Sequence, residues 1–130
     1  MKSKILLVDD QPELRLLLAE SFLARGYDVL EASDGASMKG CFSGPQPDVV
    51  LMDLKLPDAD GLDLLTTLKG QWPDTECIVL TGYGTLDYAV EATKRGAFHF
   101  QTKPHNDGIF NLVERALERK QSSQENIKLI

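Results

Sequence analysis

The chain has 130 residues, 42% of them hydrophobic, and a formal net charge of −6. That length suits one domain with a core of its own, and the acidic balance, with a pI near 4.8, excludes a broad basic face for binding nucleic acid on this segment. The basic start MKSK meets only a short apolar run before Asp9 and Asp10, too short for a signal peptide or membrane span, and Cys41 and Cys77 lack metal-ligand or redox spacing, so they read as reduced side chains of a cytoplasmic protein.

The first strand is the run ILLV, which ends at Asp9 and Asp10. A helix starts at Pro12, places Leu14, Leu17, Leu18 and Phe22 on one face, and stops before Gly26. Strand two is Asp28 to Ala32. Ser33 or Asp34 caps a short helix that ends by Gly44, and strand three runs from Asp48 to Met52. Leu62, Leu65 and Leu68 stripe a third helix closed at Gly70, and strand four is Cys77 to Leu80. Thr85 caps a fourth helix with Leu86, Ala89, Val90 and Thr93 inward and Gly96 as its stop. Strand five is Phe98 to Thr102. The last helix begins near Asn106 and turns Ile109, Leu112, Val113, Ala116 and Leu117 toward the sheet.

Strands that read as near-continuous apolar runs are buried on both faces, and their alternation with helices indicates a parallel sheet. Right-handed crossovers then favour a flavodoxin-like (βα)5 doubly wound α/β fold with strand order 2-1-3-4-5. In such a sheet the strand-end residues Asp9, Asp10, Asp53, Thr81 and Lys103 meet at the carboxyl end, where ligands bind. Three gathered carboxylates repel one another and call for a cation among them. Mg2+, a hard ion with oxygen ligands, suits Asp9 and Asp10, and Lys103 adds a fixed positive charge. Carboxylates, a divalent ion, a lysine and a hydroxyl are the parts for handling a phosphoryl group. Asp53 is the candidate nucleophile, and Thr81 and Lys103 are placed to contact the transferred oxygens. A strand-end Asp alone is commonly a cap or turn former, so the weight rests on all five occurring at successive strand ends.

The motifs LLVDD, VVLMDLKLPDADG, VLTGYGT and GAFHFQTKP resemble, in order and spacing, the response-regulator receiver domain of two-component signalling over about residues 4 to 120. The resemblance implies phosphorylation of Asp53 by a histidine kinase, with Asp10, Asp53 and the Lys55 backbone carbonyl holding Mg2+ and Asp9 acting through water. It also implies a cis Lys103–Pro104 bond, and a switch in which Thr81 and Phe100 report the phosphoryl group to the face built from helix four, strand five and helix five. Lys55 and Tyr83 match positions that tune dephosphorylation, and their long side chains imply slow self-hydrolysis. Gly82 leaves that side of the site open. Such a domain catalyses its own phosphorylation and dephosphorylation but is not a turnover enzyme.

The segment TGYGTLDYAVEATKRGAFHF is most similar to receivers of nitrogen-regulator-type sigma-54-dependent activators, and ALERKQSSQENIKLI to their linker. On this resemblance residues 1–120 form the receiver and 121–130 begin a linker to AAA+ and DNA-binding output domains. The receiver would form a homodimer whose state depends on phosphorylation, without touching nucleic acid or membrane itself. His105 stands where the family usually has an apolar residue and Gln101 where it is often aliphatic; His99 and His105 receive no role. A haloacid-dehalogenase-type enzyme needs a second Asp where Lys55 stands. An unphosphorylated pseudo-receiver conflicts with the intact acidic set, and a stand-alone receiver that docks to a partner stays open.

Overall fold

The structure is a computed structural model that describes residues 2–82, 85–103 and 108–129, for 122–129 the backbone alone. Five parallel strands lie in the order 2-1-3-4-5: β1 (Lys4–Val8), β2 (Asp28–Ala32), β3 (Val49–Met52), β4 (Glu76–Thr81) and β5 (His99–Thr102). They alternate with α1 (Pro12–Ala24), α2 (Gly35–Gly40), α3 (Gly61–Gln71), α4 (Leu86–Lys94) and α5 (Gly108–Leu129), as expected. β3 is central, pairing with β1 through Val8↔Met52 and with β4 through Met52↔Val79.

Side chains of successive strand residues point to opposite faces, so each apolar run feeds two cores. Leu6, Val8, Val50, Met52, Cys77 and Val79 pack with Met38 of α2, Leu65 and Leu68 of α3 and Ala92 of α4. Ile5, Leu7, Val49, Leu51, Ile78 and Leu80 pack with Leu18 and Phe22 of α1 and with Ile109, Val113 and Ala116 of α5. Among the described residues no helix is long and apolar enough to cross a membrane.

Several boundaries differ from expectation. Leu17 is 57% exposed, because the stripe of α1 that meets the sheet is Leu14, Leu18, Ala19 and Phe22. α3 passes through Gly70 to Gln71, and Pro73 rather than glycine marks its limit. β3 starts at Val49, one residue later, although the Asp48 backbone pairs on both sides, its N–H donating to the Lys4 carbonyl at 2.8 Å and its carbonyl accepting the Glu76 N–H at 3.1 Å. The larger correction concerns α4. Leu86 is 78% and Val90 44% exposed, Thr93 is exposed too, and the helix buries only Ala92. Its cap and stop are as expected, with Thr85 accepting the Tyr88 N–H and Gly96 at a φ of 103°. The second helix ends at Gly40, and Cys41–Ser43 form a single 3-10 turn. Residues 121–129 continue α5 without a break. Asn106 and His105 lie outside the described residues.

Candidate functional site

The strand ends bring Asp9 and Asp53 together because β1 and β3 are neighbours in register. Asp9 follows Val8 and Asp53 follows Met52, and the Asp53 N–H donates to the Val8 carbonyl at 2.9 Å. Both carboxylates are buried, at 6% and 7% exposure, whereas Asp10 is open to solvent. Carboxylate oxygens of the three lie within 4.8 Å of one another. That donor set, hard oxygens converging from one buried rim, fits a small divalent cation.

Lys103 enters from the end of β5, where its N–H donates to the Thr81 carbonyl at 2.8 Å. Its Nζ donates to Asp9 Oδ2 at 2.8 Å and to Asp53 Oδ2 at 3.0 Å. Burial pulls the Lys103 ammonium down, but hydrogen bonds and charge from Asp9 and Asp53 outweigh it and hold its pKa above the usual lysine value. Three carboxylates gather at this rim, and the Lys103 ammonium pairs with two of them, Asp9 and Asp53. The Arg15 guanidinium instead donates to the Asp9 carbonyl at 2.6 Å and pairs with Glu31 at 3.1 Å.

The loop after β3 is held in place from both sides. The Lys55 N–H donates to Asp53 Oδ1 at 3.1 Å, and the Lys55 backbone forms an isolated antiparallel β-bridge with Asp60, which caps α3 by accepting the Leu62 N–H at 2.8 Å. A Cβ on Gly61 would collide with the Leu54 backbone, so only glycine permits this close return of the chain. Asp58 reaches across to α2, its two oxygens accepting the N–H groups of Gly35 at 2.7 Å and Ala36 at 3.0 Å. Asp34 caps the same helix through Ser37. An open depression of about 500 Å³ lies over the site, lined by Asp10, Gln11, Asp53, Lys55, Leu56 and Pro57.

Thr81 is fully buried at the end of β4, and Phe100 is half-buried on β5 opposite Val79, packed against the α3–α4 side of the sheet. His99 is half-buried, and burial together with the Arg115 charge lowers its pKa. Tyr83 and Pro104 lie outside the described residues. Two contributors carried no sequence signal. Gln11 joins the site through its carboxamide, which accepts from Lys103 Nζ at 2.9 Å, and Asp58 acts as a brace on a neighbouring helix. Only adjacency to the acidic pair could have pointed to Gln11.

With this geometry in hand, the pattern described as the response regulator receiver domain matches residues 5–114. The regulatory protein AtoC of Escherichia coli is 35% identical over 95% of this chain, which spans 27% of that regulator. The sporulation initiation phosphotransferase F of Bacillus subtilis is 36% identical over 92% of the chain and is itself covered to 98%. Among solved structures, NtrX of Brucella abortus in complex with ADP superposes with a TM-score of 0.93 at 33% identity, covering all of this chain and 30% of that one.

Proposed function

Because this chain belongs to the response regulator receiver domain family, a signalling rather than a metabolic class, we propose that its acidic rim accepts a phosphoryl group on Asp53 from a histidine kinase. The convergence of Asp9, Asp10, Asp53 and Lys103 carries the reading. A carboxylate oxygen of Asp53 attacks phosphorus, the bond to the donor breaks, and an acyl phosphate remains on the protein. Asp10, Asp53 and the Lys55 carbonyl would hold Mg2+, with Asp9 acting through water; the ion supplies neutralisation of the phosphoryl oxygens. Lys103 moves its ammonium from the Asp53 carboxylate to the phosphoryl oxygens, and the Thr81 hydroxyl donates to them.

The output follows from differential contact. A phosphoryl group that Thr81 and Lys103 bind better in one arrangement shifts the population toward it, and Phe100 carries the shift to α4, β5 and α5. The poorly buried α4 has little to lose in such a shift, since Ala92 is its one buried residue. Lys55 and Tyr83 would slow loss of the phosphoryl group by shielding it. We place residues 121–130 at the start of a helical linker to sigma-54-type AAA+ and DNA-binding domains, supported by the unbroken run of α5 to Leu129 and by the AtoC and NtrX likenesses. A second reading, a receiver that acts alone by docking, draws support from phosphotransferase F, which this chain covers almost end to end.

Acetyl phosphate with Mg2+ should add one phosphoryl group by intact mass. A chelator or Asp53→Asn should prevent it. Equal labelling of the variant, or no labelling of the parent chain, would refute the proposal.

A further inference from the structure

We infer that Gln11 is a positioning residue that anchors Lys103 in the resting site, so that the ammonium must leave the Gln11 carboxamide before a divalent cation and a phosphoryl group take over its carboxylates. The inference rests on the phosphoacceptor reading above. Gln11 occupies the N-cap position of α1 yet makes no side-chain capping bond, although this position normally recruits a short side chain whose oxygen binds the first turn. Its side chain is committed elsewhere. Oε1 accepts from Lys103 Nζ at 2.9 Å, while the Gln11 backbone N–H donates to Asp9 Oδ1 at 2.8 Å.

An ammonium has three donors. At Lys103 they go to Asp9 at 2.8 Å, Gln11 at 2.9 Å and Asp53 at 3.0 Å, so all are used within the site. The two carboxylates supply the attraction, and the neutral carboxamide supplies direction to a flexible four-carbon stem that would otherwise swing between them. Held there, Lys103 covers one oxygen of Asp9 and one of Asp53, and both residues belong to the group that can hold the metal. An entering cation therefore competes with an ammonium fixed at three points. Gln11 also lines the open depression beside Asp10, Asp53 and Lys55, which places the anchor on the path of entry.

Two measurements on the whole chain test this. In nitrogen-15 NMR of lysine ammonium groups, the parent chain should show a protected signal, assigned to Lys103 by its absence in Lys103→Met, and Gln11→Met should lose it to exchange. No protected Lys103 signal in the parent, or the same signal in Gln11→Met, overturns the inference. In calorimetric titrations with magnesium chloride, Gln11→Met should tighten binding about three- to tenfold, the size of a typical net hydrogen-bond contribution. The same substitution in the Lys103→Met background should change nothing; an equal gain in both backgrounds shows that Gln11 does not act through Lys103. A parent chain that binds no magnesium contradicts the phosphoacceptor reading, while the ammonium signal still decides the role of Gln11.

Discussion

The two ends of the sheet solve the same electrostatic problem in opposite ways. At the amino end two carboxylates each have a cation of their own. Asp48, just before β3, meets Lys120 at 2.6 Å, and Glu76 at the start of β4 faces Arg119 at 3.8 Å. Thr75 completes the closure, donating to the Pro47 carbonyl at 2.7 Å and accepting from Gln46 at 3.0 Å. At the carboxyl end Asp9, Asp10 and Asp53 crowd together, and among the described residues Lys103 pairs with two of them, Asp9 and Asp53. Charge balanced pair by pair serves to tie α5 to the sheet; charge left in excess is a standing demand for a ligand, and it is met at some cost in stability.

The comparison is sharpened most strongly by exchanging the damage. Asp53→Asn should abolish labelling by acetyl phosphate, whereas Asp48→Asn should retain it fully, as followed by intact mass. If both lose the label, the amino end takes part in the chemistry and the contrast fails. Asp10→Asn should weaken magnesium binding about tenfold or more, as expected for a lost ligand, while raising the melting temperature by relief of repulsion. Calorimetry and a thermal scan on one sample check both signs.

Next in size is Lys120→Met. Among the described residues it leaves the Asp48 carboxylate with the Lys4 N–H as its remaining partner, and since Lys120 is 13% and Asp48 31% exposed, a loss of about 1–2 kcal/mol in urea unfolding is expected. Labelling should be unchanged. Arg119→Ala should be the mildest, within about 0.5 kcal/mol, because its contact with Glu76 is long and the arginine is 60% exposed.

Most of the fold could be read from the chain because strands buried on both faces leave uninterrupted apolar runs, and the acidic residues that end those runs stand where ligands bind in such sheets. The helices were less legible. Periodicity shows that α1 and α4 have apolar residues at helical spacing, but which of them face the sheet depends on how each helix is rolled against it. Leu17 and Val90 therefore look like core residues and are exposed, while Ala92, small and unremarkable, is what α4 buries. Contacts such as Asp48 with Lys120, 72 residues apart, and Gln11 with Lys103, 92 apart, have no local signature at all. They exist because the sheet order brings distant segments to the same end.

The central claim, that the carboxyl end of the sheet is a phosphoryl-accepting site and Asp53 its acceptor, is tested most directly by locating the label. An acyl phosphate formed with acetyl phosphate and Mg2+ is reduced by borohydride to the alcohol, so peptide mass mapping identifies the modified residue. The account predicts conversion of Asp53 alone. Conversion at Asp10, at Asp60 or at the Asp48 end of the sheet, or none anywhere, would contradict it.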